Sequence, residues 1–223
     1  MKKLTALFLT LALLISAAAI PVLAEEGKST AWPVIELKRT PAELMSEGIG
    51  KEFRYQTFSG PGKGYSESGA YLPSIVTAEA LFRENGFALI DVDYGVGRRC
   101  VYLQDKYVVG AEVEEMSFTP VKATTKTTIK PMYYGPGNQY EPVTHREKSK
   151  YADTPMEELM EIFDGNLDKI RIALQDVFPP VELRGGSRVS VLFEVNGWVC
   201  IESDCTILGL ARSWIPADQV EAE

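Results

Sequence analysis

The chain has little of the side-chain chemistry that many hydrolases and metalloenzymes use. It has one histidine, His145, and three cysteines among its 223 residues. A cysteine nucleophile would therefore have a single histidine as its base, and His145 lies in a polar, charged stretch that we interpret as a loop. No segment matches a nucleophile elbow, a phosphate-binding loop or a zinc-binding helix. We expect no catalytic residue and no cofactor.

Basic residues are outnumbered by acidic residues. The 23 lysines and arginines stand against 31 aspartates and glutamates, which gives a formal net charge of −8. Binding to nucleic acid requires clustered basic residues, so we expect no nucleic-acid partner. The acidic residues do not form a metal pattern either. Asp91, Asp93 and Gly95 match only part of a calcium-binding loop, and we predict no metal site.

One apolar run is long enough to raise the question of a membrane. Leu4–Ile20 follows two lysines, and Val22-Leu23-Ala24 then places small or tolerated residues at the positions that a signal peptidase reads, which is typical of a secretory signal peptide. A spanning helix needs about 20 apolar residues. We predict a signal peptide over residues 1–24, a linker over 25–52, and a secreted or cell-envelope protein with no stable membrane anchor after cleavage.

Export would place the cysteines in an oxidising space. Residues 198–202 have the pattern of a strand, and Ser203-Asp204 resembles a turn. A turn there would bring Cys200 and Cys205 within the roughly 5.5 Å between α-carbons that a disulfide requires. We predict this disulfide. Cys100 is interpreted as a small buried hydrophobic residue, with an intermolecular or alternative bridge left open.

Two motifs recur in the same order along the chain. The segment Ser59-Gly-Pro-Gly-Lys-Gly-Tyr65 returns as Tyr134-Gly-Pro-Gly-Asn-Gln-Tyr140. Asn85-Gly86-Phe87 returns as Asn196-Gly197-Trp198. Asn-Gly supplies the two residues with positive φ that a tight hairpin needs, and alternating apolar residues flank it. The recurrence indicates a tandem duplication.

The order of these motifs resembles the bacterial SH3-like domain. Gly-Pro-Gly-x-x-Tyr, a variable loop, Asn-Gly-aromatic and a final Trp214-Ile-Pro-Ala217 look like the tandem pair found in secreted proteins of Gram-positive bacteria. The resemblance implies a mainly β protein with two small SH3-like β-barrels in tandem, over residues 53–116 and 121–220. The first copy lacks the final Pro-Ala and matches less well.

The second copy is longer than the first. Asn85 follows Gly60 by 25 residues, whereas Asn196 follows Gly135 by 61. The extra residues have apolar side chains at intervals of three or four, which predicts a helical insertion over about residues 150–180. We expect the apolar stripe to pack against its own barrel or between the two barrels, with a ligand groove or partner surface as the alternative. The stripe residues are Met156, Leu159, Met160, Phe163, Leu167, Ile170, Leu174 and Val177.

Aromatic residues are the remaining candidates for ligand contact. A tyrosine beside a rigid turn offers an apolar face and a hydroxyl at low entropic cost, so we expect the turn tyrosines on the surface. The predicted ligand-binding residues are Tyr65, Tyr102, Tyr134, Tyr140 and Trp214. The predicted structural residues are Gly60, Pro61, Gly62, Gly135, Pro136, Gly137, Asn85, Gly86, Asn196, Gly197 and Trp198.

Two hypotheses about function follow. The first is a non-catalytic binding module of the cell envelope that recognises peptidoglycan or a peptide ligand, as the resemblance implies. The second is a protein-interaction or scaffold subunit of an extracytoplasmic assembly that binds its partner through the helical insertion.

Overall fold

The computed structural model describes residues 31–44, 54–73, 77–93, 97–205 and 208–223. The predicted signal peptide lies outside the described residues. Residues 31–223 form one compact unit.

The described residues are mostly strands, so the predicted mainly β class is confirmed. The strands are β1 (Thr40–Leu44), β2 (Arg54–Phe58), β3 (Glu67–Pro73), β4 (Thr77–Glu84), β5 (Phe87–Asp93), β6 (Arg98–Gln104), β7 (Val108–Val109), β8 (Val121–Thr125), β9 (Arg188–Val195), β10 (Trp198–Cys205), β11 (Gly209–Pro216) and β12 (Val220–Ala222). The α-helices are α1 (Met156–Ile162) and α2 (Leu167–Ala173), and short 3-10 helices, Asp105–Tyr107 and Ala217–Gln219, precede β7 and β12. Across the described part of the chain, none of the helices has the length and apolar character that a membrane crossing requires.

The strands form two antiparallel sheets. The first has the order β3-β2-β6-β5-β4-β1-β7 and the second has the order β11-β10-β9-β8-β12. We call β1–β7 the first repeat and β8–β12 the second repeat. Strand β1 pairs with β4 and β7, so the first sheet includes residues that lie before position 53. The boundaries predicted for the two domains stay a prediction.

Five strands of the first repeat have the same connectivity as the five strands of the second. Three consecutive strands form a meander in each repeat, β4–β6 in the first and β9–β11 in the second. An earlier strand, β1 or β8, pairs with the first strand of its meander. A short final strand, β7 or β12, follows a 3-10 turn and pairs with that earlier strand. The hairpin turns also correspond. Asn85 and Gly86 have φ of 53° and 76°, and Asn196 and Gly197 have φ of 50° and 79°. Both pairs have the left-handed backbone that a two-residue hairpin turn requires.

Among the described residues, hydrophobic side chains form three buried clusters. One belongs to the first repeat and contains Ile90, and another belongs to the second repeat and contains Ile201. The third contains residues of both repeats, including Phe82, Phe193 and Trp214. Phe193 is fully buried, and its ring makes edge contacts with Phe82 and Trp214 at centroid distances of 5.8 and 5.3 Å. The two repeats are therefore packed together through a common aromatic core.

The helical insertion differs from the expectation of a buried stripe. Helices α1 and α2 have seven residues each, and Asp164 and Gly165 between them have positive φ of 52° and 72°. This break changes the direction of the chain, so the apolar positions of α1 and α2 do not form one continuous face. Within the predicted stripe only Leu159 and Ile170 are buried. The expectation that the whole stripe packs inside the protein is wrong.

Candidate functional site

The two Gly-Pro-Gly tyrosines each reach into the other repeat. Tyr65, from the first repeat, donates a hydrogen bond to Glu202 on β10. Tyr140, from the second repeat, donates to Oδ2 of Asp91 on β5 at 2.6 Å. Asp91 and Glu202 lie at equivalent positions, because each is the fifth residue after its Asn-Gly turn. The two repeats are therefore joined by a reciprocal pair of tyrosine–carboxylate contacts, which we call the tyrosine clasps.

The Gly-Pro-Gly motif makes these clasps possible. In each turn the tyrosine ring folds back over the first glycine. A Cβ atom at Gly60 would overlap the ring of Tyr65, and one at Gly135 would overlap the ring of Tyr140. The motif spacing is thus explained by close packing of a tyrosine ring on a glycine backbone.

Each clasp contains arginine as well as tyrosine. The Asp91 side chain has no exposed surface, and Arg98 Nε lies 2.6 Å from Asp91 Oδ1. Arg39 pairs with Asp91 and donates from Nη2 to the Tyr140 hydroxyl at 2.8 Å. Buried carboxylates require such partners, because water is no longer there to solvate the charge. Glu79 lies at the edge of this clasp, 2.9 Å from both Arg39 and Arg98.

The second clasp has Arg212 at its centre. Its guanidinium donates from Nη1 and Nη2 to the two carboxylate oxygens of Glu84, at 2.6 and 3.1 Å, and from Nε to Glu202 at 3.1 Å. Nη1 also lies 2.7 Å from the hydroxyl of Tyr102. The Arg212 and Glu84 side chains are only 6% and 7% exposed. Burial alone would lower the pKa of Arg212, but the field of Tyr102 and the hydrogen bond to Glu84 raise it overall.

A groove of about 1050 Å³ opens beside the second clasp. The first repeat lines it with residues that include Ser59, Ser66 and Arg99, and the second repeat lines it with residues that include His145 and Phe178. Phe178 is 60% exposed, so it offers an apolar surface. The volume is at the upper end of the range for small-ligand sites, which run to roughly 1,000 Å³. We take this groove as the candidate binding site.

His145 lies at this groove and is paired with a carboxylate. Its Nε2 atom is 2.7 Å from Oε1 of Glu147. Its Nδ1 atom is buried and has no hydrogen-bond partner in the described part of the chain. One ring nitrogen, Nε2, is therefore held by a carboxylate, while the other, Nδ1, lacks a hydrogen bond, which is uncommon for a buried polar atom.

The chain has little detectable similarity to known proteins. No family model matches the chain, and no curated protein matches it. Among solved structures, the chain is similar to the structure of NlpC1 from Trichomonas vaginalis, at 13% identity and a TM-score of 0.26. The match covers 87% of this chain and 48% of that one, so the chain spans about half the length of NlpC1. A similarity this low carries no argument about function.

The predicted ligand-binding residues are mostly inside the protein. Tyr102, Tyr134, Tyr140 and Trp214 are between 2% and 8% exposed, and Tyr65 is half-buried with its hydroxyl bonded to Glu202. The surface position expected for Tyr134 and Tyr140 is therefore wrong: the ring of Tyr140 folds over Gly135 into the protein, and the ring of Tyr134 is covered by the guanidinium of Arg99. Direct ligand binding by these five residues stays a prediction. Of the five, the groove includes Tyr134 in its lining.

The predicted disulfide between Cys200 and Cys205 is wrong. Both residues lie on the single strand β10, which continues through Ser203 and Asp204 without a turn. At about 3.3 Å per residue, five residues of extended chain separate their α-carbons by roughly 16 Å, more than twice the limit for a disulfide. Cys200 is a free, buried cysteine, and so is Cys100.

Cys100 has a charged residue as its counterpart in the second repeat. In the sheets, Asp91 faces Cys100 and the equivalent Glu202 faces Arg212. Cys100 and Arg212 are therefore the equivalent pair. The first clasp has a neutral thiol at the place where the second has a buried cation.

Several site residues were not singled out from the sequence as functional. They are far apart along the chain and come together only in the fold, so no local sequence pattern marks them. They are Arg39, Glu84, Asp91, Arg212 and Phe178. Across the described residues, no group of three or more His, Cys, Asp or Glu side chains is arranged to hold a metal ion.

Alkaline pH is expected to weaken the folded state. Burial raises the pKa of Cys200 to about 12, and burial together with the Glu202 hydrogen bond raises the pKa of Tyr65 to about 12. These groups have ordinary pKa values of 9.0 and 10.0, so between pH 9 and 12 the unfolded chain releases protons that the folded chain retains. Stability from these groups is fully present below pH 9 and is lost as the pH rises toward 12.

The measurement is the urea midpoint of unfolding at intervals from pH 8 to pH 12. The midpoint should fall across the upper part of this range, and the variant Cys200→Ala should show a smaller fall. A midpoint that stays constant up to pH 12 in the parent chain would show that these groups are not protected by burial.

Proposed function

We propose that the mature chain is a non-catalytic, exported binding protein of the cell envelope, built from two SH3-like repeats. The shared strand connectivity, the Asn-Gly hairpins and the 3-10 turn before the last strand of each repeat support this reading. The signal-peptide pattern at residues 1–24 supports export.

The ligand we propose is peptidoglycan or a peptide derived from it, held in the groove between the repeats. The observation that carries this proposal is the composition of the groove. Both repeats contribute polar side chains, Phe178 contributes an exposed aromatic ring, and the volume suits several residues of an extended ligand. A site formed by two rigidly packed repeats needs little ordering when the ligand binds.

The proposal of a binding role, as opposed to catalysis, is supported by the state of the reactive groups. Burial raises the pKa of Cys100 well above its ordinary value and that of Cys200 to about 12, so both stay thiols, which are weak nucleophiles. The arginines and carboxylates of the clasps neutralise each other.

Sedimentation with purified sacculi tests the proposal. The mature chain should be found in the pellet at low and at moderate salt, because hydrogen bonds and apolar contact, unlike surface ion pairs, are weakly screened. Recovery of the chain only in the supernatant at both salt concentrations would eliminate wall binding. Bovine serum albumin, which is also acidic, is a control for trapping in the pellet.

A second candidate function is the docking of a protein partner on the helical insertion. Eight large apolar side chains are exposed in the described residues, and seven of them lie between positions 156 and 178. Monomeric proteins seldom expose so many in one segment without a partner. They are Met156, Met160, Ile162, Leu167, Ile172, Val177 and Phe178.

Crosslinking in the native envelope tests this second function. Leu167 and Ile172 are 66% and 63% exposed, so replacing both by serine should remove a partner crosslink without unfolding the protein. The buried Leu159 is unsuitable for this purpose. Retention of the same crosslinked band by Leu167→Ser/Ile172→Ser would rule out docking through this surface.

A further inference from the structure

Strand β11 is an edge of the second sheet, and one side of its backbone faces away from β10. In an antiparallel pair, alternate residues direct both N–H and C=O to the same side. Trp214 donates its N–H to the carbonyl of Tyr133 at 2.9 Å and accepts from the N–H of Tyr133 at 3.0 Å. The backbone N–H and C=O of Trp214 therefore point away from β10, and so do those of Arg212 and Leu210, two and four residues before it.

At both ends of this edge, outward backbone groups already have partners. Trp214 is bonded to Tyr133, and the carbonyl of Leu210 accepts from the N–H of Ser66 at 2.9 Å. Between them, the N–H and C=O of Arg212 make no hydrogen bond with any described residue. Arg212 and Ser66 both line the groove. The groove thus contains a gap at Arg212, between the bonded carbonyl of Leu210 and the bonded backbone of Trp214.

The first repeat shows what fills the same position there. Cys100 is the equivalent of Arg212, and its N–H donates to the carbonyl of Tyr134 at 2.7 Å. The matching partner for Arg212 would be Ser59, because Ser59 and Tyr134 hold the same place before their Gly-Pro-Gly turns. That bond is absent among the described residues, although Ser59 lines the groove. The backbone N–H at this position is therefore hydrogen-bonded in the first repeat, at Cys100, and has no partner among the described residues in the second, at Arg212.

We propose that an extended peptide lies in the groove and pairs its backbone with the N–H and C=O of Arg212. This inference rests on the proposed function and specifies that the peptide part of the ligand, and not the glycan part, is recognised. Leu210 and Trp214 are four residues apart on the strand, or roughly 13 Å. The peptide therefore lies between Ser66, which is bonded to Leu210, and Tyr133, which is bonded to Trp214. A peptide residue carries an N–H and a C=O at the spacing that such a bridge requires.

One arginine of the groove, Arg146, has part of its guanidinium available for a carboxylate on the peptide. The groove lining includes three arginines, at positions 99, 146 and 212, and two acidic residues, Glu67 and Asp176. Arg212 is already paired with Glu84 and Glu202, and Arg99 is paired with Glu141, so neither adds an unpaired positive charge to the groove. The Arg146 side chain is 72% exposed and keeps N–H groups directed to solvent while it contacts Asp176. Phe178 supplies an apolar wall for the same peptide.

Amide hydrogen exchange in the full mature chain tests the inference. Purified sacculi are cleaved with an amidase, and the released peptides and the remaining glycan strands are added separately. With the peptides, exchange at the Arg212 amide should slow by about tenfold or more, because a new hydrogen bond protects it. Exchange at the Trp214 amide, already bonded to Tyr133, should be unchanged.

The outcomes separate this inference from the proposed function. If intact sacculi are bound but the peptides leave the Arg212 amide unprotected, the pairing is wrong while wall binding stands. Protection by the glycan strands instead of the peptides also overturns it. If intact sacculi are not bound at all, the proposed function fails and this inference fails with it.

Discussion

Replacing Arg212 by methionine should destabilise the protein by about 3–5 kcal/mol, because it leaves the buried carboxylate of Glu84 without its cation. Methionine keeps much of the side-chain length, so the loss is electrostatic more than steric. Arg212→Lys should recover only part of the stability, since an ammonium group cannot make the two-pronged contact with Glu84. The measurement is urea unfolding followed by tryptophan fluorescence.

A matched arginine on the surface controls for this change. Arg188 is 88% exposed and lies 3.4 Å from Glu223, so Arg188→Met should cost less than about 1 kcal/mol. The double variant Arg212→Met/Glu84→Gln should be more stable than Arg212→Met alone, because the unpaired charge has been removed. If Arg212→Met and Arg188→Met unfold at the same urea concentration, the buried ion pair does not stabilise the fold.

Replacing Phe193 by alanine should cost about 3–5 kcal/mol, the range for deleting a buried aromatic ring. The ring of Phe193 stacks on Phe118 at 4.4 Å and makes edge contacts with Phe82 and Trp214. It therefore supports the first repeat as well as its own. We expect one cooperative transition in which both repeats lose stability together.

Amide exchange distinguishes a shared core from two independent ones. Protection at Ile90 in the first repeat and at Ile201 in the second should fall by similar amounts in Phe193→Ala. The variant Phe178→Ala, whose ring is 60% exposed, should leave both unchanged. A fall at Ile201 with full protection at Ile90 would mean that the repeats unfold separately.

Much of the fold could be predicted because its signals are local. Asn85-Gly86 and Asn196-Gly197 mark hairpins through their own backbone preferences, and apolar alternation marks the flanking strands. The same locality explains one error. Ser203-Asp204 looked like a turn, but β10 continues to Cys205 and the positive φ belongs to Gly209, at 71°.

The site could not be predicted in the same way, since its contacts join distant residues. Tyr140 and Asp91 are 49 positions apart, and Arg212 and Glu84 are 128 positions apart. A polar side chain in a strand gives no signal of its partner until the sheets are packed. The tyrosines were correctly associated with the Gly-Pro-Gly turns, but the folding of their rings over glycine depends on packing between repeats that no local pattern shows.

The affinity of groove variants for sacculi is the most direct measurement of the central claim, that a groove formed by both repeats holds the ligand. The double variant Phe178→Ser/Arg146→Gln changes two exposed groove side chains, and Ile172→Ser/Arg188→Gln changes two exposed side chains outside it. We expect the first to lower the affinity by roughly tenfold or more, equivalent to about 1.4 kcal/mol, and the second to leave it unchanged. Equal binding by both variants and the parent chain would contradict the claim.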